Sequence, residues 1–210
     1  MGETKKKPYY KSDACEVSRM ENETGDGIST AFRVFPGIYL LHSDFHMQEC
    51  PTVKSEDADI LWLDFCREGR VEWEISKDKY VYLESGNYVI DIRAGRKFTL
   101  HFPMGHYHGI SLRIHMKEAN QALADFIKGV NIDIYTIRDK FLSEGQPFIT
   151  KGNEIIHHIF EEIEQVPWDS SGEYYKIKVL EILFQLKNME RPKEQIERPY
   201  FVKQQVEIVK

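Results

Sequence analysis

Two runs, Ile60-Leu61-Trp62-Leu63-Asp64-Phe65 and Val71-Glu72-Trp73-Glu74-Ile75, decide the fold class of this 210-residue chain. In the second run apolar and acidic residues alternate, so a strand there packs one face and wets the other. The first is apolar at nearly every position and reads as a more deeply buried strand. Between them lies Arg67-Glu68-Gly69-Arg70, where Gly69 can adopt the positive φ of a tight turn, so the pair predicts an antiparallel hairpin. Outward from it the pattern repeats. Tyr80 to Leu83 is followed by a turn at Ser85-Gly86-Asn87. Tyr88 to Ile92 then places Tyr88, Ile90 and Ile92 on one face. After Ala94-Gly95 come Phe98 to Phe102 and a last strand from about Tyr107 to Ile114. Strands recurring roughly every 10 to 13 residues with short loops predict an antiparallel sandwich or barrel over residues 28–116.

Upstream, residues 1–27 are polar, hold Gly25, Asp26 and Gly27, and show no sustained period. They are expected to form a mobile N-terminal arm. Downstream, from 117 to 190, the period becomes helical. Ala119, Ala122, Leu123, Phe126 and Ile127 share one side of a helix that ends towards Gly129. Ile134, Ile137, Phe141 and Leu142 mark a second. Asn153 is a natural N-cap for a third, striped by Ile155, Ile156, Ile159, Phe160 and Ile163. After Pro167 and the break at Asp169 to Gly172, a fourth helix runs to about Met189. Its apolar face is wide: either part of it packs on another chain, or it crosses the sheet covered on two sides. Residues 191–210 start as a charged, proline-bounded linker. Val202, Val206 and Val209 then fall at helical spacing, and a helix so short is not stable alone in water.

With Lys+Arg 28 against Asp+Glu 34, the formal net charge is −6, which argues against the chain itself gripping a phosphate backbone. No apolar stretch approaches the roughly 20 residues of a membrane span, and the N-terminus lacks a signal-peptide core, so a cytoplasmic protein is expected. Cys15, Cys50 and Cys66 are odd in number, contain no CxxC and read as reduced thiols.

The densest histidine group is His101 with His106 and His108. In the register of Ile110, Leu112 and Ile114, His106 and His108 share the apolar side and would project into the barrel. Imidazoles at i, i+2 suit several transition metals, but a catalytic centre needs a third histidine or a carboxylate. That strand offers none before Glu118: position 111 is serine and position 113 arginine. Histidines hydrogen-bonded inside the barrel or lining a ligand pocket are therefore the expectation, with no metal, no cofactor and no catalytic residue. Nucleophile, phosphate-loop and dinucleotide motifs are absent. Trp62, Trp73, Tyr88, His106 and His108 are the candidate ligand-binding residues, since a barrel rich in Trp and Tyr offers an apolar cavity with polar tips. The rival is a stand-alone metal-dependent enzyme using His101, His106 and His108.

Several stretches, in order, carry a family resemblance. They are Phe35-Pro36-Gly37-Ile38 with Ser43-Asp44-Phe45-His46, then Glu68-Gly69-Arg70-Val71-Glu72-Trp73-Glu74, then Phe102-Pro103-Met104-Gly105-His106-Tyr107-His108-Gly109-Ile110. Lys178-Val179-Leu180-Glu181 and the ending from Tyr200 to Lys210 complete the set. From about residue 35 onward the chain resembles the N-terminal part of AraC-type (AraC/XylS) bacterial transcriptional regulators. The resemblance implies an α+β chain, a cupin-like antiparallel β-barrel followed by a helical dimerisation segment. It also implies a linker towards a helix-turn-helix DNA-binding domain absent from these 210 residues. On that reading the chain is a homodimer that senses a small-molecule effector and meets DNA only through the absent domain, without contacting a membrane. The acidic residue expected a few positions after the HxH of metal-binding cupins is missing, which weakens the enzymatic reading.

Overall fold

A computed structural model describes residues 5–52, 59–77, 79–95, 97–142, 145–151, 153–166, 171–191 and 200–202. Twelve strands are described: β1 (Lys5–Lys11), β2 (Cys15–Asn22), β3 (Gly25–Phe35), β4 (Ile38–His46), β5 (Glu49–Pro51), β6 (Ile60–Ser76), β7 (Lys79–Glu84), β8 (Asn87–Asp91), β9 (Thr99–His101), β10 (Tyr107–His115), β11 (Phe148–Lys151) and β12 (Tyr200–Val202). The helices are α1 (Met116–Phe126), α2 (Ile134–Phe141), α3 (Glu154–Gln165) and α4 (Ser171–Asn188). All pairings are antiparallel.

One strand organises the rest. The first half of β6 pairs with β10 and β8, and its second half with β7 and, at Glu72, with β9. It therefore belongs to two sheets: a large one, β1-β2-β3-β4-β10-β6-β8-β11, and a small one, β12-β7-β6-β9-β5. The sheets face each other as a cupin-like barrel, and the helices cover the other side of the large sheet. Each space has its own core. Val34, Ile38, Leu40, Leu63, Ile110, Leu112 and Ile114 pack with Ile134, Ile137, Ile156, Ile159, Phe160, Val179 and Ile182 of the helices. Phe45, Cys66, Val71, Trp73, Val81, Leu83, Val89, Phe102 and Tyr107 fill the inter-sheet space. At β8 both faces of the large sheet are covered, and every position of that strand is buried.

The hairpin expected at Gly69 is corrected: β6 runs unbroken through it. Gly69 does take a positive φ, 79°, and a Cβ there would lie 2.3 Å from the carbonyl oxygen of His106. Its freedom serves a close approach rather than a chain reversal. The ladder pairs Gly109 with Cys66 and His108 with Glu68, leaving Arg67 as the extra residue of a bulge. Bulges bend and twist a strand, which here turns β6 from one sheet into the other. Arg67 then ion-pairs with Glu164 of α3.

The stretch expected to be a mobile arm is also corrected: residues 5–22 form β1 and β2, in register with β3. Every residue of β1 is exposed, so an edge strand wet on both faces left no period to read. Strand β11 lies inside the segment expected to be helical and adds an edge to β8; four residues are too few for a period to register. Val202, expected to open a helix, closes β12, whose Tyr200 pairs with Val81; the rest of that expected helix and the linker 192–199 lie outside the described residues.

The helices follow their caps. Asn153 accepts from the Ile156 amide at 2.8 Å and Asp133 from the Tyr135 amide at 3.0 Å, each satisfying an amide that the first turn leaves unpaired. Lys178, buried on α4, donates to Glu162 of α3 and at 2.8 Å to Glu181, tying the two helices together. Lys140 of α2 donates to the carbonyls of Leu186, Lys187 and Met189 and closes the C-terminal end of α4. No described helix is long and apolar enough to cross a membrane.

Candidate functional site

Alternation fixes what faces the inter-sheet space. On β4 the odd positions Leu41, Ser43 and Phe45 point there, on β10 Tyr107 and Ser111, and on β6 Trp62, Asp64, Val71 and Trp73. With Phe98, Leu100, Thr52 and Arg93 they enclose a cavity of about 260 Å³, apolar over most of its wall. The composition is that of a small-molecule site, aromatic walls with a few convergent polar groups.

Arg93 is the centre of its chemistry. The guanidinium ion-pairs with Asp64, and its Nε lies 3.6 Å from Asp91. It lies 5.0 Å from the ring centroids of both Trp62 and Trp73 and 5.9 Å from that of Phe98, within cation–π range of all three. Burial pulls its pKa down, but Asp64 and Asp91 outweigh that and leave it raised, so the charge is permanent. The neighbouring Tyr107 hydroxyl is pushed well above its ordinary pKa, first by burial and then by Asp64, and stays protonated. Two donors on this wall, Arg93 Nε and Trp73 Nε1, are buried without a hydrogen-bond partner among the described residues. A ligand carrying an acceptor and a flat apolar body would pair one and stack on the other.

Of the candidate residues named from sequence, Trp62 and Trp73 lie together on this wall, and Tyr88, His106 and His108 do not. Tyr88 faces the helical layer, its hydroxyl 3.9 Å from Met189 Sδ and its pKa pushed up to about 12 by burial. His108 does share the face of Ile110, Leu112 and Ile114, but that face packs on the helices. The expectation that the histidine pair projects into the barrel is corrected for this reason: both faces of β10 are covered, and the more apolar one is not the lumen. The His106 and His108 rings lie edge to face with centroids 6.4 Å apart, but the three histidines of the enzymatic rival do not gather as one ligand set among the described residues. His101, on β9, sits 3.9 Å from Glu49, while His106 Nε2 lies 3.7 Å from Glu68. His108 meets Asp44 and His46 of β4 instead.

Sequence reading missed Asp64, Arg93, Tyr107 and Ser111. Only Asp64 left a signal, a lone charge inside an otherwise apolar strand, which asks for a buried partner.

Neither a protein-family model nor a curated protein matches the sequence. Solved structures overlap it in part. Unsaturated-fatty-acid-bound ToxT from Vibrio cholerae does so with TM-score 0.43 and 8% identity, over 82% of this chain and 60% of that one. A transcriptional regulator of the HTH_3 family from Vibrio cholerae gives 0.34 and 8%, over 41% of this chain and 50% of that one. The cupin_2 domain of an XRE-family regulator from Enterobacter cloacae gives 0.30 and 13%, over 53% of this chain and 95% of that one. The chain thus spans half to three-fifths of the first two. Overlaps at these TM-scores carry nothing over from those proteins, and the reading of this chain rests on its own geometry.

Proposed function

We propose that the chain is the effector-sensing and dimerising part of a bacterial transcriptional regulator, with DNA bound by a helix-turn-helix domain outside these 210 residues. The observation that carries the sensing role is the aromatic cavity around Arg93, which offers binding groups without a catalytic pair: its guanidinium and Asp64 neutralise each other, and its tyrosine stays protonated. The cavity wall is shared with the helical layer, since the strands that line it also pack against α3 and α4 through their opposite faces. A ligand that favours one arrangement of the wall over another would shift how the helices sit, and with them the dimer. The family resemblance from residue 35 onward supports the regulator half of the reading.

For dimerisation, Ile177 and Phe184 are 61% and 48% exposed on the outward side of α4, two turns apart. A two-fold contact through this stripe would cover both. Sedimentation of the chain and of Ile177→Glu with Phe184→Glu tests it: a dimer that becomes monomeric without loss of melting temperature supports the contact, and a wild-type monomer at high micromolar concentration overturns it. For sensing, a small-molecule panel is read by melting temperature. A compound that raises it in the wild type but not in Trp62→Ala supports binding in the cavity; a shift unchanged by Trp62→Ala overturns that placement.

A further inference from the structure

On β4 the even positions begin beneath the helices, with Ile38 and Leu40 in the core, and emerge from under them at Asp44 and His46. The register places His108 of β10 directly opposite Asp44, with His46 on the diagonal of the same face. Asp44 Oδ1 lies 2.9 Å from His46 Nε2 and 3.2 Å from His108 Nε2. The two imidazole rings meet edge to face at 5.5 Å. One carboxylate oxygen and two imidazole nitrogens thus lie within 4.8 Å of one another on two strands of a continuous ladder.

These separations have chemical content. A zinc-like ion holds nitrogen and oxygen at about 2.0–2.2 Å, so neighbouring ligand atoms in a tetrahedral site lie roughly 3.3 Å apart, and about 2.9 Å at right angles. Both measured edges fall in that range without any strand moving. Imidazole and carboxylate together suit divalent transition metals. The ligands sit on paired strands, which position side chains better than loops do. The site lies on the helix-covered face of the sheet, opposite the inter-sheet cavity, at the rim of a cleft of about 400 Å³ formed with Glu164, Val166 and Tyr175.

We propose that Asp44, His46 and His108 form a binding site for one divalent transition-metal ion, zinc or an ion of its kind, with the outer coordination positions open to water or to a group entering the cleft. The enzymatic rival's histidine set does not form this site: His101 is not among the ligands, and the carboxylate comes from the neighbouring strand.

Cobalt(II) is the probe. The expected result is one equivalent bound to the chain, giving a visible d–d absorption band that zinc abolishes on addition, together with a rise in melting temperature. His46→Ala and His108→Ala should each weaken binding at least tenfold, and Asp44→Asn similarly, while His101→Ala and His158→Ala leave it unchanged. Because Asp44 and His46 are well exposed, their variants should melt with the wild type in the absence of metal. No band and no shift with excess cobalt or zinc would overturn the proposal. So would binding that survives the loss of both His46 and His108, or that is lost on changing His101 or His158.

Discussion

His42 sits where the large sheet meets α4, half-buried, its Nε2 3.3 Å from the hydroxyl of Tyr175 and its ring against those of Phe32 and Tyr175. Burial penalises the imidazolium and lowers the His42 pKa from 6.5 to about 4. The unfolded chain therefore binds a proton at His42 that the folded chain refuses between those two values. Stability from this residue is fully present above pH 6.5, falls as pH drops through the window, and is gone below about 4. Each pH unit inside the window is worth about 1.4 kcal/mol, or about 2.5 kcal/mol at pH 4.5. Partial access to the cleft trims that to about 2 kcal/mol. Urea unfolding of the wild type and of His42→Gln at pH 7.0 and 4.5 isolates it from the carboxylates, which titrate in both proteins. The wild type should lose about 2 kcal/mol more than the variant over that interval. Parallel stability curves for the two proteins would refute the reasoning.

Arg93→Ala leaves Asp64 and Asp91 buried without their cation and should cost about 3 kcal/mol in urea unfolding at neutral pH. Gly69→Ala must hold a side chain at positive φ, 2.3 Å from a backbone oxygen, and should lower stability by about 1–3 kcal/mol and shift the melting temperature accordingly. Lys140→Met removes the donor that closes the end of α4; about 1 kcal/mol should be lost, with faster amide exchange confined to the last turn of that helix.

The sequence carried the periods well and the compartments poorly. Strands β7, β8 and β10 and all four helices could be read from spacing, because the strands carry apolar residues in alternation, the helices bury a stripe, and the cap at Asn153 marks where α3 starts. The long β6 was read as a hairpin because a glycine between two strands is a turn far more often than a bulge, and only its pairing with both β10 and β7 tells them apart. The site was harder for a related reason. In β4 and β10 the face against the helices is apolar along one end, Ile38 and Leu40 or Ile110, Leu112 and Ile114, and turns polar only towards His42, Asp44 and His46 or His108, while the lumen face is mixed throughout, Leu41, Ser43 and Phe45 or Tyr107 and Ser111. The rule that the apolar side faces inward then selects the helical compartment, and it carried the histidine pair there. Arg93 lies between strands, where no period constrains it, and Asp44 meets His108 only through a pairing between strands distant in sequence.

The insertion of β10 between β4 and β6 has a consequence for how the chain is made. A ribosome releases β4 with one edge satisfied by β3 and the other open, and nothing closes that edge until Tyr107–His115 has followed. Through that interval the nascent chain presents a strand with the hydrophobic residues Ile38, Leu40 and Phe45 beside unpaired amides, the surface on which partly made sheets stick to one another. The chain between β4 and β10 must close over a long stretch before that pairing rewards it, so folding in the millisecond-to-second range is expected. Asp44 and His46, exposed in the finished sheet, are polar side chains that this strand carries beside that open edge, where charge opposes such sticking.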